Sequence, residues 1–322
     1  MSFLLNPPQR EAIHYLDGPC LVLAGAGSGK TRVITQKIAY LVNDCGFNPH
    51  AIAAITFTNK AAKEMLERIS KLMGGRASKG LTVCTFHALG VRIVRQEAQL
   101  LGLKPQFSIL DSGDTTQIIA EMTGNTDKNR AKALQWQISS WKNALVEPNE
   151  AAHIANDEVS AAAALLYRDY DKTLRAYQGV DFDDLIRLPV KLFDEHPEVR
   201  DRWQNRLRYL LVDEYQDTNR AQYRLLKLLT GVRAAFTAVG DDDQAIYAWR
   251  GADIENLRQL PVDFPTLKVI KLEQNYRSTT RILHAANTVI ANNEKLFDKK
   301  LWSEHGAGEP VTVVACQTPE HE

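Results

Sequence analysis

The sequence predicts an α/β protein in which helices cover a parallel sheet and a helical region interrupts it. Short, continuous apolar runs recur along the chain with helical stretches between them, as expected for strands buried on both faces. The span between Leu89 and Leu188 has long helical patterns and no clear strand. We therefore expect a helical domain inserted into an α/β domain.

Six apolar runs rich in β-branched residues are the predicted strands. They are Cys20–Ala24, Ile52–Phe57, Thr82–Thr85, Tyr209–Val212, Ala235–Val239 and Lys268–Leu272. In the insert, helical patterns cover Trp136–Leu145 and Ala151–Tyr177. After Asn275 we expect a helix over Thr279–Asn292 and one strand over Val311–Ala315. A lone strand needs a sheet to join, which indicates the truncated start of a second α/β domain.

Composition places the chain among globular proteins of about two domains. Of its 322 residues, 44% are hydrophobic and 24% charged, and the 39 basic residues balance 39 acidic ones, so net charge does not indicate a nucleic-acid partner. No apolar stretch reaches the ~18 residues of a membrane span, and we expect a cytoplasmic protein. Four cysteines lie far apart, which favours reduced thiols over zinc or disulfides. They are Cys20, Cys45, Cys84 and Cys316.

The first strand runs into a glycine-rich loop that predicts a phosphate-binding site. Its residues are Ala24, Gly25, Ala26, Gly27, Ser28, Gly29, Lys30 and Thr31. The loop amides can surround the β- and γ-phosphates of ATP, Lys30 adds a positive charge, and the Thr31 hydroxyl can hold Mg²⁺. The apolar pattern of Arg32–Val42 predicts a helix whose N-terminus faces the anion. The alternative is a flexible Gly/Ser turn.

Two carboxylates follow the fourth strand. Asp213 and Glu214 come directly after Tyr209–Val212, at the end of a strand where open α/β sheets bind ligands. Asp213 is the expected Mg²⁺ partner of Thr31, and Glu214 can orient or deprotonate the water that attacks the γ-phosphate. The alternative is that both acids cap the next helix.

A third segment with candidate functional residues follows the strand Ala235–Val239. Gln244 can donate and accept hydrogen bonds, so it can sense a γ-phosphate or its water. Tyr247, Trp249 and Arg250 offer flat faces and a cation a few residues later, which suggests bases stacking beside the ATP site. The alternative is that Tyr247 and Trp249 are core residues.

Two further strand ends carry candidate DNA contacts. Phe57 can meet a base, while Thr58, Asn59 and Lys60 can bind a DNA phosphate, although helix capping alone explains Thr58 and Asn59. The second strand end carries Thr85, Phe86 and His87. A lone histidine such as His87 is more often structural than a ligand.

Leu272–Ser278 lies at the expected boundary between the two α/β domains. Arg277 in this segment can reach across a cleft and neutralise charge that develops on the γ-phosphate, as arginine fingers do. The alternative is an ordinary surface ion pair.

Seven motifs in order resemble those of the superfamily 1A DNA helicases, the UvrD/Rep/PcrA family, and the likeness runs from Leu5 to about Phe297. They are AGAGSGKT, ITFTNKAA, TFHALG, DFDDL, LLVDEYQDTN, VGDDDQAIYAWRGA and LEQNYRS. Ser140–Asn143 and Asp263–Pro265 are closest to the Rep branch. The resemblance implies a RecA-like P-loop NTPase domain (1–88 and 189–276), an all-helical insert (89–188) and the start of a second RecA-like domain (277–322).

The resemblance also implies roles that the residues alone do not fix. Gln9 would recognise adenine, with Arg32 and Tyr276 packed on its faces. Gln244 would couple the γ-phosphate to DNA, and Arg277 would be one of two arginines acting on the transition state. The candidate DNA residues would line a single-strand path.

An ATP-dependent helicase moving 3′ to 5′ on single-stranded DNA is the function that the resemblance implies. Its substrates would be single strands and 3′-tailed or forked duplexes, with replication proteins as partners of the full-length protein. The family's later motifs lie beyond Glu322, so residues 1–322 alone are expected to bind nucleotide and DNA without unwinding. A UvrD/PcrA-type repair role and a kinase or GTPase switch remain alternatives.

Overall fold

The computed structural model describes residues 5–75, 78–124, 127–316 and 318. Its main sheet has six strands in the order β3-β2-β6-β7-β1-β8, and every neighbouring pair is parallel. The strands are β1 Cys20–Ala24, β2 Ile52–Thr56, β3 Thr82–Thr85, β6 Tyr209–Val212, β7 Phe236–Gly240 and β8 Lys268–Leu272. The predicted α/β class and all six predicted strands are confirmed, with shifts of one residue at the ends of β2 and β7.

Helices fill most of the sequence between the strands. Their bounds are α1 Pro7–His14, α2 Lys30–Asn43, α3 Asn59–Met73, α4 Phe86–Gln96, α5 Ser112–Thr123, α6 Lys128–Asn143, α7 Pro148–Ile154, α8 Glu158–Ala176, α9 Asp184–Glu195, α10 Pro197–Arg206, α11 Arg220–Thr230, α12 Glu255–Asp263 and α13 Thr280–Ile290. Short 3-10 turns follow β6 and β7, at Tyr215–Asp217, Asp242–Gln244 and Ala248–Arg250.

The sheet separates two hydrophobic layers. Alternate residues of β1 point to opposite faces, so that Leu21 and Leu23 join one layer while Cys20 and Val22 join the other. Helices α4, α9, α10, α11 and α12 cover the first face, and α1, α2 and α3 cover the second. Because both faces are covered, inner strands such as β1 and β6 read as continuous apolar runs, which is why the sequence predicted them well. The edge strand β8 is less apolar and carries the exposed Lys268 and Lys271.

The helical insert has its own core, formed by α5, α6, α7 and α8. Two expectations about it were wrong. Ser108–Ile109 (β4) and Gly179–Val180 (β5) form a short parallel pair in a span where we expected no strand. Ala151–Tyr177 is not one helix, because the chain leaves the helical path before Asp157, whose carboxylate accepts from the Ser160 amide and caps α8.

A buried charge network joins the insert to α9. The Lys142 ammonium is fully buried and lies 2.7 Å from Asp181, 3.0 Å from Asp184 and 3.1 Å from Asp171. Arg187 extends the network through Asp171 at 2.8 Å. Burial alone would lower the pKa of Lys142, but the three aspartates raise it well above its usual value. Lys142 is therefore charged, and it compensates aspartates that burial would otherwise leave unpaired.

The region after β8 differs from the sequence expectation. Helix α13 is present, but the Val311–Ala315 strand is not: these residues have no regular structure, and Val313 and Val314 are largely exposed. A strand needs a hydrogen-bonding neighbour, and none of the described residues supplies one here. Among the described residues, no helix combines the length and apolarity needed to cross a bilayer. Of the four cysteines, Cys20 and Cys84 are buried, Cys45 is half-buried and Cys316 is exposed.

Candidate functional site

The loop after β1 has the geometry of an anion site. Gly29, at φ +91°, leads into α2, which begins at Lys30, and no side chain among the described residues caps this helix. Its N-terminus therefore presents backbone N–H groups and the positive end of the helix dipole. The buried Ser28 hydroxyl donates to the Gly25 carbonyl at 2.7 Å and holds the loop in shape.

The segment after β8 lies directly on this loop. The Asn275 amide donates to the Ala26 carbonyl at 2.5 Å, and the Tyr276 backbone N–H donates to the Gly27 carbonyl at 2.9 Å. Gly27 has φ +71°, and a Cβ there would lie 2.8 Å from the Cβ of Arg277. Glycine at this position is thus required by the close approach as well as by the backbone angle. The structure brings Tyr276 and Arg277 to the phosphate loop.

Gln9 and Tyr276 form a polar cluster at one side of the loop. The buried Gln9 amide donates to the Ser28 carbonyl at 2.9 Å. The Tyr276 hydroxyl donates to Gln274 at 2.9 Å, and Gln274 also accepts from Asn6 at 3.2 Å. Burial raises the pKa of the Tyr276 phenol, while the nearby Arg32 charge acts against that rise. The three residues expected around adenine therefore lie near one another.

The carboxylates after β6 converge with the phosphate loop. The Lys30 ammonium lies 3.7 Å from the Glu214 carboxylate. Burial, with a smaller contribution from the Glu214 charge, raises the pKa of Asp213 to about 7. A buried carboxylate of this kind suits a divalent cation, whose charge would offset both effects. Glu214 has φ 49°, a left-handed conformation that is uncommon for a residue with a side chain.

Gln244 is connected to these groups by a chain of hydrogen bonds. Gln216 donates to Glu214 at 3.0 Å and accepts from the backbone N–H of Asp241, also at 3.0 Å. The Asp241 carboxylate in turn accepts from the side-chain amide of Gln244. The ends of β1, β6 and β7 are thus joined in one polar site, which we call the phosphate site.

A groove of about 880 Å³ lies beside the phosphate site. It is lined by most of the predicted DNA residues, namely Phe57, Thr58, Asn59, Thr85, Phe86, His87, Trp249 and Arg250. Two predicted DNA residues do not line this groove: Lys60, which is exposed, and Tyr247, which is half-buried. The opposite wall comes from the insert, through Trp136, Asn143 and Phe182.

An aromatic cluster contributes Phe57, Trp249 and Arg250 to one wall of the groove, with Tyr247 packed behind Phe57. Phe57 and Tyr247 are stacked with ring centroids 5.9 Å apart, and the Arg250 guanidinium lies 4.5 Å from the Trp249 ring. Trp249 is 66% exposed, which rules out the alternative that it is a core residue. An exposed tryptophan beside an arginine offers a stacking surface for a base.

Three predicted DNA residues are constrained by the fold. Phe86 is only 3% exposed and packs in the sheet core, so its ring offers little surface to a base, and its part in DNA binding stays a prediction. The Thr85 and Thr58 hydroxyls accept from the amides of Ala88 and Ala61 and cap α4 and α3. The capping alternative therefore holds for Thr58, and Thr85 caps its helix in the same way, although both still border the groove.

Sequence reasoning missed two exposed aromatic residues of the groove. Trp136 on α6 is 62% exposed and Phe182 is 56% exposed, with its ring 4.2 Å from that of His87. Trp136 began a helical pattern and Phe182 lies in the DFDDL motif, but neither pattern indicates which side chains stay outside a core. That information comes only from the packing of the insert.

The His87 imidazole is expected to stay neutral until the pH approaches 4. Burial lowers its pKa to about 4, whereas an unfolded chain titrates near 6.5. The unfolded state therefore binds the proton first, and the stability that His87 contributes is complete above pH 6.5 and declines as the pH falls toward 4. An NMR titration of the ring checks this, and a midpoint near 6.5 would contradict it. As a neutral group, His87 adds no positive charge for a DNA phosphate at pH 7.

Comparison with known proteins agrees with this geometry. The UvrD/REP helicase N-terminal domain model matches residues 5–265. The chain belongs to the UvrD/REP helicase family. The UvrD-like helicase C-terminal domain model matches residues 270–322. Family membership supports the resemblance seen in the motifs and disfavours a kinase or GTPase switch.

Curated members of the UvrD/REP family match almost the whole chain. ATP-dependent DNA helicase Rep of Escherichia coli K12 is 54% identical over 99% of this chain and 48% of its own length. ATP-dependent DNA helicase PcrA of Bacillus subtilis 168 is 47% identical over 94% of the chain and 42% of its length. The chain thus spans about half the length of the curated relatives it matches.

Proposed function

We propose that the protein, in its full length, is an ATP-dependent 3′ to 5′ helicase or translocase on single-stranded DNA. The observation that best supports this proposal is the short distance along the chain between two sites. Gln244, at the end of the phosphate site, precedes Trp249 and Arg250 of the groove by only a few residues. A change at the γ-phosphate can therefore reach the DNA-facing wall through one short segment. The relatives are named as ATP-dependent DNA helicases, which supports the same activity.

The phosphate site fits ATP and Mg²⁺. We propose that the loop from Gly25 to Thr31 holds the phosphates, that Thr31 and Asp213 hold Mg²⁺, and that Glu214 orients the attacking water. When bound, Mg²⁺ would neutralise charge between the β- and γ-phosphates. Lys30, already close to Glu214, would contact the γ-phosphate.

Further roles follow from the positions of the remaining residues. We propose that Gln9, Arg32 and Tyr276 bind the adenine and that Arg277 neutralises charge on the γ-phosphate. Gln9 is fully buried and bonded to Ser28, so adenine binding requires it to exchange or share that bond.

For the whole protein we propose a Rep-like role in replication, with forked or 3′-tailed duplexes as substrates, replication proteins as partners and a cytoplasmic location. A UvrD/PcrA-type repair role is the alternative. We also propose the division into a first RecA-like domain (1–88 and 189–276), a helical insert (89–188) and the start of a second RecA-like domain (277–322). The divisions at 88 and 188 fall within α4 and α9, which pack on the sheet.

Unwinding of tailed duplexes by the full-length protein tests the proposal. We expect ATP hydrolysis to be stimulated by single-stranded DNA and a 3′-tailed duplex to open faster than a 5′-tailed one. Lys30→Ala should abolish both activities. An ATPase indifferent to DNA would overturn the proposal. Residues 1–322 alone should bind nucleotide and DNA without multiple-turnover unwinding.

Trp249→Ala is expected to weaken single-stranded DNA binding by about 1–3 kcal/mol, because a stacking surface is lost. ATP affinity should not change, since Trp249 is exposed and outside the phosphate site. Fluorescence anisotropy of labelled DNA and nucleotide titration measure the two affinities. Tyr177→Ala, which removes an exposed aromatic ring that does not line the groove, is the matched control. Loss of ATP affinity with unchanged DNA affinity would contradict the proposed groove.

A further inference from the structure

Lys299, in the segment after α13, inserts its ammonium into a cluster of three consecutive carboxylates. It lies 2.5 Å from Asp241 and 2.9 Å from Asp243, and it also contacts Asp242. The side chain is 4% exposed. Burial alone would lower the pKa of Lys299, but the three aspartates raise it above its usual value. The lysine is therefore charged and almost completely enclosed.

The three carboxylates need a cation to stay together. Their oxygen atoms lie within 4.8 Å of one another, so their mutual repulsion is strong in a partly buried position. Lys299 offsets this repulsion with three donor hydrogens, one for each neighbour. Without it, the turn Asp242–Gln244 would carry uncompensated negative charge next to the site proposed for a triphosphate.

The same cluster controls the position of Gln244. Asp241 contacts Lys299 through one carboxylate oxygen and accepts from the Gln244 amide through the other. The backbone N–H of Asp241 donates to Gln216, which continues to Glu214 and Lys30. Lys299 thus lies at the outer end of the chain of polar contacts that runs through the phosphate site to Lys30.

The segment that carries Lys299 is held in place on both sides. The Phe297 backbone N–H donates to Asp242 at 3.3 Å, and Lys271 of β8 donates to the Asp298 carbonyl at 2.5 Å. The Leu301 side chain lies against Gly25 of the phosphate loop. A lysine anchored in this way can fix the turn it contacts.

We propose that Lys299 is a positioning residue for ATP hydrolysis, which neutralises Asp241–Asp243 and thereby fixes the Gln244 amide for the γ-phosphate. This inference rests on the proposed function. If Lys299 has this role, the segment after α13 helps to shape the phosphate site at the edge of the main sheet.

Steady-state ATPase assays of the full-length protein with saturating single-stranded DNA test the inference. We expect Lys299→Met to lower kcat by about 10- to 100-fold, because Gln244 is displaced, and to raise KM for ATP. Lys299→Arg should keep most of kcat, since it preserves the charge. Lys300→Met is the matched control: its side chain is exposed, and only its backbone N–H is bonded, to Glu273. DNA affinity without nucleotide should be equal in all variants.

A double variant with the wild-type cluster charge distinguishes a positioning role of Lys299 from a general loss of stability in Lys299→Met. Asp242→Asn in the Lys299→Met background removes one negative charge, so it should recover part of kcat even if Lys299→Met lowers the unfolding midpoint. A Lys299→Met rate equal to that of Lys300→Met, or a double variant no faster than the single one, would overturn the inference. A wild-type ATPase that ignores DNA would instead count against the proposed function.

Discussion

Glu214→Gln is expected to lower the DNA-stimulated ATPase rate of the full-length protein by about 100-fold or more, the usual contribution of a general base. Glutamine keeps the size of the side chain and can still hydrogen-bond with Gln216, but it cannot take a proton from water. The contact with Lys30 also loses its charge, so ATP binding should be retained or slightly strengthened. Phosphate release and equilibrium binding of a fluorescent nucleotide measure the two effects separately.

Glu195→Gln is the control for this substitution. Glu195 lies at the end of α9 in an exposed pair with Lys191 and takes no part in the phosphate site. Its variant should hydrolyse ATP at the wild-type rate. If Glu214→Gln did the same, another group would have to activate the water, and the assignment of Glu214 would be wrong.

Lys142→Met is expected to destabilise the protein by about 3–5 kcal/mol, the usual cost of removing one partner from a buried ion pair. Methionine fills a similar volume but leaves Asp171, Asp181 and Asp184 without their shared cation. Arg187 compensates only part of this charge. Urea unfolding followed by circular dichroism measures the loss as a lower midpoint.

The pH dependence of this variant provides a second check. The unpaired aspartates of the folded variant bind protons more tightly than those of the unfolded chain, so the deficit should shrink as the pH falls from 7 toward 4. Lys132→Met, which replaces an exposed lysine on the same helix, should unfold like the wild type. Equal midpoints for the two variants would mean that the buried lysine contributes no net stability.

The strands and the phosphate loop could be predicted because each depends on local sequence. A strand such as Leu21–Leu23, buried on both faces, must be apolar throughout, and a loop that turns into Lys30 and Thr31 needs glycines at fixed positions. Because the strands are parallel, the groups at their carboxyl ends meet at one edge. Sequence could therefore indicate that Lys30, Glu214 and Gln244 belong together.

Other features depend on distant contacts and could not be read from local patterns. The two-residue strands Ser108–Ile109 and Gly179–Val180 are too short to give a periodic signal. The mostly apolar segment Val311–Ala315 predicts a strand, but no described neighbour pairs with it. Lys299 is an unremarkable lysine in the sequence, and only the fold brings it to Asp241.

The backbone of Glu214 also bears on protein engineering. At φ 49° this residue holds a conformation that costs non-glycine residues about 1–3 kcal/mol. A redesign that optimised thermostability alone would choose glycine there and would discard the carboxylate proposed to activate water. With the proposed role of Glu214, folding and turnover impose opposite demands on this position: glycine would relieve the backbone strain, and only the carboxylate could activate water.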